Sequence, residues 1–247
     1  MENKVLSLKK TARKAGLLYF VWVLTGIYGM MYVQSQTIVK GDDVATASRI
    51  LSNEFLFRTS IINDLFSSAI CVFLVLALYR LLKQVNAHQA KLMVSLLILT
   101  IPVVFIINAF NITSLMILKG EGLKTFEAGQ KQELAMLFLK INDYGLLILE
   151  MFWGLWLIPF GQLVYKSKFI PRILGIFLII GGVVYMLDSF LSLLFPMYRL
   201  YFRQFAEQPI LLTVAVGEIS IMLWLLIKGV RNNASKIVSK ESLDANI

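Results

Sequence analysis

The sequence predicts an all-α, polytopic membrane fold: a six-helix transmembrane bundle with both termini in the cytoplasm. Three observations predict it. Of the 247 residues, 58% are hydrophobic and only 16% are charged, with a mean hydropathy of +0.74; a soluble domain carries about 25% charged residues. Six apolar runs reach the roughly 20 residues that an α-helix needs to cross a bilayer core. The basic residues sit mostly at the ends of those runs.

The elements follow in order. Span one, 16–35, begins after a basic arm. It exceeds the apolar core of a signal peptide and lacks a small-x-small cleavage site before Gln34, so it is read as a retained span. The connection 42–57 offers Asp42 or Asp43 as a helix cap. That helix would turn Ile50, Leu51 and Leu56 to one side, along the outer membrane surface. Span two is 60–79 and span three 92–118, the latter interrupted by Pro102. A polar loop with three glycines, 119–131, leads to span four, 141–165, whose helical periodicity starts earlier, near Gln132. Span four contains Pro159, read as a packed kink. Span five, 172–196, and span six, 209–227, complete one membrane domain over 1–247. The glycines of 154–161 and 175–182 are expected to allow close helix contact.

Direction follows from Lys and Arg. The N-terminal arm, the second-to-third and fourth-to-fifth connections and the C-terminal tail hold 15 basic residues against three acids. The opposite side holds nine, against seven acids. The positive-inside rule therefore puts both termini in the cytoplasm. The net charge of +9 is thus an orienting pattern, and nucleic acid is not expected as a partner.

Five acids lie inside apolar segments: Asp64, Asp143, Glu150, Asp188 and Glu218. Each costs roughly 2.5–3.5 kcal/mol near mid-bilayer. No Lys or Arg lies deep in a span, so these acids are expected to face a protein interior or a wet cavity without a buried basic partner. Glu150 and Glu218 each lie ten residues from the basic residue flanking their span, about 15 Å in depth. Asp64, Asp143 and Asp188 lie nearer the outer side. Spacing puts Asp143 and Glu150 on one helix face, Asn108 and Asn111 on another, and Gly181, Tyr185, Asp188 and Ser192 on a third. Asp64, Ser67, Ser68 and Cys71 line one side of span two. The competing reading is purely structural: acids within a turn or two of the interface are hydrated or pair with Arg58, Arg199 or Arg203, and the other polar residues join helices. Ile-Asn-Asp recurs at 62–64 and 141–143, a weak internal echo.

Several chemistries are excluded. One His (His88) and one Cys (Cys71) build no zinc site and no disulfide. No P-loop or GxGxxG fingerprint appears, and His88 lies outside the apolar runs, away from any intramembrane serine. No G-x-G-D motif supports Asp143 and Asp188 as a hydrolytic dyad. Neither a cofactor nor a resident metal is predicted, although acids and asparagines could offer oxygens to a hard cation.

Four stretches carry a family resemblance: ARKAGLLYFVWVLTGIYGMMYV (12–33), LFRTSIINDL (56–65), the long run from Asn142 to Phe190 containing PRILG, and GEISIMLWLLIKGV (217–230). In these the chain resembles a bacterial family of six-span membrane proteins, domain of unknown function 4386. The resemblance implies an integral protein of a bacterial plasma membrane and supplies no activity.

The expected function is non-enzymatic. It is the binding or movement of a small polar or cationic solute or ion, in contact with the lipid bilayer, at a polar cavity drawn from Asp64, Asn108, Asn111, Asp143, Glu150, Tyr185, Asp188 and Glu218. The alternative is an accessory, sensory or immunity-like protein that acts by contacting another membrane protein.

Overall fold

A computed structural model describes the backbone of residues 2–230; side chains are described from Leu6 onward, except that of Gln204. The basic residues Arg231, Lys236 and Lys240, which the orientation argument uses, lie outside the described residues. The described chain is helical, without strands.

Helix α1 (Glu2–Gly26) runs into a π-helical segment, Ile27–Val33, and a last turn, α2 (Gln34–Thr37). Helix α3 is Asp43–Ser52 and α4 is Glu54–Leu82. The third span is two helices, α5 (Ala87–Ile98) and α6 (Thr100–Leu118), separated at Leu99. Pro102 lacks the N–H that would bond to the carbonyl of Ile98, which accounts for the interruption. Helix α7 (Ala128–Lys166) has 39 residues, α8 is Arg172–Leu194, and α9 (Arg203–Leu223) is flanked by π-helical segments at Tyr198–Phe202 and Trp224–Lys228.

Six helical stretches among the described residues are long and apolar enough to cross a membrane: Leu6–Thr37, Glu54–Leu82, Ala87–Leu118, Ala128–Lys166, Arg172–Leu194 and Phe205–Lys228. They match the six predicted runs, and most extend beyond them because polar flanking turns continue the helix. Their outward faces carry Phe73, Leu187 and Leu212, each 55% exposed or more, as hydrocarbon contact requires.

The 42–57 connection is corrected in part. Asp42 caps α3, its Oδ1 accepting from the Ala45 N–H at 2.8 Å, and Asp43 is the first helical residue. The helix ends at Asn53, however, so Leu56 belongs to α4, and Leu51 is exposed while Ile50 is buried.

The chain forms two compact units. One takes the chain up to Val21, Cys71–Thr100 and the chain from Glu150 onward. In it α7 and α8 meet through glycines. A Cβ at Gly154 would lie 2.5 Å from the Gly182 carbonyl oxygen, and one at Gly161 would lie 2.6 Å from that of Gly175. Gly154 and Gly161 are seven residues apart, as are Gly175 and Gly182, so each helix presents its glycines on one face. Gly16 likewise brings α1 against the backbone of Leu225 and Leu226.

The other unit is Trp22–Ile70 and Ile101–Leu149. Within it Ile50 of α3 joins Phe57, Ile61 and Leu115 in a buried cluster, and Ala47 joins Ile117, Ala135 and Met136. Thr46 fixes the approach to α3, accepting from the Val39 N–H at 3.0 Å and donating to its carbonyl at 3.2 Å. Around the 119–127 loop, Lys119 reaches both Glu54 (3.0 Å) and Glu121 (3.4 Å), and its ammonium is held above the usual lysine range by the hydrogen bond to Glu54. Gly120 and Gly122 take left-handed φ values of 76° and 79°, which turn the loop where a side chain would be strained.

Candidate functional site

In the first unit, Glu150 and Asp188 converge on one cation. Glu150 projects from the middle of α7, and Asp188 from α8, two helices held close by their glycines. Arg203 stands at the first position of α9, where the π-helical segment 198–202 delivers the chain. Its Nη2 donates to both Glu150 oxygens, at 2.7 and 2.9 Å, and its Nε lies 3.2 Å from Asp188 Oδ2. Tyr198 donates its hydroxyl to the other Asp188 oxygen at 2.8 Å. Its phenol is pushed up to about 12, first by burial and then by this hydrogen bond, so Tyr198 remains a donor at neutral pH.

For Glu150 and Asp188 this corrects the expectation that the membrane acids lack a buried basic partner. Arg203 lies in the connection between the fifth and sixth spans, and its long side chain carries the charge towards Glu150 and Asp188. The site is graded in exposure: side-chain accessibility is 3% for Asp188, 13% for Glu150 and 26% for Arg203. Arg203 is therefore the member of the cluster nearest the protein surface.

Elsewhere in the same unit, Glu218 of α9 accepts from the hydroxyl of Tyr19 at 2.9 Å, and Tyr19 is fully buried. Tyr185, one turn before Asp188, is within electrostatic reach of Glu218, Glu150 and Asp188, and its ring stands 6.3 Å from that of Trp153. Ser192, one turn beyond Asp188, is 2% exposed and its hydroxyl oxygen has no hydrogen-bond partner.

Asp64 and Asn108 belong to the second unit, joined by a hydrogen bond from Asn108 Nδ2 to Asp64 Oδ2 at 3.1 Å. Asn111 is half-buried one turn further along α6, and Asp143 is exposed on α7. The echoed Ile-Asn-Asp motifs thus differ in setting: Asp64 is half-buried and Asp143 is at the surface. An open hollow in this unit, lined by Val44, Leu51, Lys119 and Lys131, contains none of the predicted site residues. Among the described residues no group of three or more His, Cys, Asp and Glu side chains is placed to hold a metal.

Sequence reasoning missed Tyr198 and Tyr19, and it named Arg203 only as a partner for acids near the interface, whereas Arg203 pairs with Glu150 and Asp188. Arg203 and Tyr198 belong to a connection rather than a span, and Tyr19 reads as an ordinary aromatic of span one. The available signal was the excess of acid itself, which asks for donors from somewhere in the chain.

Six helices long and apolar enough to cross a membrane define a multi-pass membrane protein. A model of the family described as Domain of unknown function (DUF4386) matches residues 14–229, and the chain belongs to that family. No curated protein and no solved structure matches this chain.

Proposed function

We propose that this chain binds or moves a small polar or cationic solute at the site made by Glu150, Asp188 and Arg203, as a protein of a bacterial plasma membrane with both termini in the cytoplasm. The observation that carries the reading is the arrangement of charge. Two carboxylates from two helices face one guanidinium, and a further acid, Glu207, lies within electrostatic reach of Glu150. The guanidinium is itself a model of what the site accepts: a flat or compact cation with several N–H donors. Arg203 is the most exposed of the three and sits beside an irregular helical segment, so it can withdraw without unwinding α7 or α8. Glu218, with Tyr19, supplies a second acid in the same unit to receive a proton or cation released from the first.

The test uses purified protein in proteoliposomes, with radiolabelled methylammonium and guanidinium as probes. Saturable binding or uptake by the wild type, lost in Glu150→Gln and Asp188→Asn at normal abundance, supports the proposal. Uptake equal in wild type and both variants overturns it. So does a wild type that takes up neither probe but co-purifies with another membrane protein, the outcome expected of an accessory protein.

A further inference from the structure

We infer that the second unit holds a monovalent-cation site built on Asp64 and Asn108, independent of the site at Arg203. Asp64 lies on α4, half-buried, and its partners are amides. Asn108 donates to Oδ2 at 3.1 Å, and Asn63 also hydrogen-bonds to the carboxylate. No Lys or Arg pairs with Asp64 among the described residues, in contrast to Glu150 and Asp188.

The independent observation is the other end of the Asn108 amide. Asn108 is 3% exposed, and its Oδ1 is buried with no hydrogen-bond partner. The amide cannot simply turn over to satisfy it, because Nδ2 also donates to the Val104 carbonyl at 3.0 Å. A carboxylate without a counter-charge thus adjoins an acceptor without a donor. Each is costly in a dry interior, and both ask for the same thing. A cation touching Asp64 and Asn108 Oδ1 neutralises the one and satisfies the other.

The surroundings supply more oxygen. Thr25 donates to the Ser67 hydroxyl at 2.9 Å, one turn from Asp64, and the Thr25 carbonyl accepts from Asn63 at 3.0 Å. The facing stretch of the first span is the π-helical segment Ile27–Val33, a distortion often found at functional sites. In that segment Gly29 is the close neighbour: a Cβ there would come within 3.5 Å of Asp64 Oδ1 and 3.1 Å of Asn63 Nδ2. Its lack of a side chain keeps the approach to the carboxylate open.

Charge selects the valence. One carboxylate and neutral oxygens leave a monovalent ion with no net charge, whereas a divalent ion would leave one uncompensated positive charge in an apolar setting. Hard oxygen donors favour sodium over softer ions.

The experiment measures the melting temperature of the purified full chain in detergent while sodium replaces choline at constant ionic strength and fixed pH. Sodium should raise it saturably. Asp64→Asn should abolish the rise and Asn108→Ala should weaken the apparent affinity at least tenfold, while Glu150→Gln leaves it intact. Direct binding of radiolabelled sodium to the wild type, at one ion per chain, stands apart from any variant that fails to fold. No sodium-dependent rise overturns the inference, as does a rise that survives in Asp64→Asn. A dependence on pH with no dependence on sodium also overturns it, assigning a proton to Asp64. The uptake assay with methylammonium and guanidinium reports on the other site, so the two readings fail separately.

Discussion

Replacing Arg203 by Met removes the guanidinium while keeping an unbranched stem. In the wild type this one group answers Glu150 at 2.7 and 2.9 Å and Asp188 at 3.2 Å. Removing one partner of a buried pair costs roughly 3–5 kcal/mol, because a charge remains without compensation. Arg203 is 26% exposed, and solvent screening moves the figure towards the lower bound. Two carboxylates rather than one are left behind, which moves it up again. The expected loss is about 3–4 kcal/mol. The triple variant Arg203→Met, Glu150→Gln, Asp188→Asn removes every charge of the cluster, and a neutral replacement of a buried ion pair is near-neutral in stability. Its stability should return to within about 1 kcal/mol of wild type. The assay is unfolding of the purified protein by SDS in mixed micelles, followed by tryptophan fluorescence. If Arg203→Met alone lies within about 1 kcal/mol of wild type, the pair behaves as a surface pair and the reasoning fails. A triple variant as unstable as the single one would make Arg203 a packing residue rather than a counter-ion.

The glycine contacts give a prediction of opposite signs. Gly161→Ala places a Cβ 2.6 Å from a backbone oxygen and should cost about 1–3 kcal/mol by overpacking, whereas Gly129→Ala, which meets nothing within 4 Å, should gain about 0.5–1 kcal/mol of helix stability; the same SDS titration reads both. Asp42→Ala removes the cap on α3 and should cost about 0.5–2 kcal/mol, seen as faster amide exchange in residues 43–52. Reporter fusions at Lys124 and at the C-terminus should report opposite sides of the membrane; the same side for both refutes the orientation.

Length and apolarity made the spans legible, because hydrocarbon thickness fixes the number of residues whatever the packing. The cap at Asp42 was legible for a local reason: its partner is three residues away. The glycine faces of α7 and α8 were legible as spacing. What sequence could not disclose was pairing at long range. Glu150 and Arg203 are 53 residues apart and Tyr19 and Glu218 are 199 apart, and only the packing of α7, α8, α9 and α1 decides that they meet. The extent of the 42–57 helix was misread because one apolar pattern ran across Asn53, where the backbone breaks. Asn108 was recognisable as a polar residue in a span, but nothing in its neighbours foretold that one end of its amide would be satisfied and the other not.

The glycine contacts between α7 and α8 also set the behaviour of the acid pair. Gly154 lies one turn beyond Glu150, and Gly182 lies two turns before Asp188. With backbone resting on backbone at that level, the two helices act as the fixed jaws of a caliper. The gap between the carboxylates is then a built-in gauge, set by the chain rather than by whatever lies between them. Adjustment falls to the arm that carries Arg203, which enters α9 from a loosely wound turn. Under the proposed function, a cation that fits the gauge as a guanidinium does would compete with Arg203, and a larger one would meet jaws that do not widen.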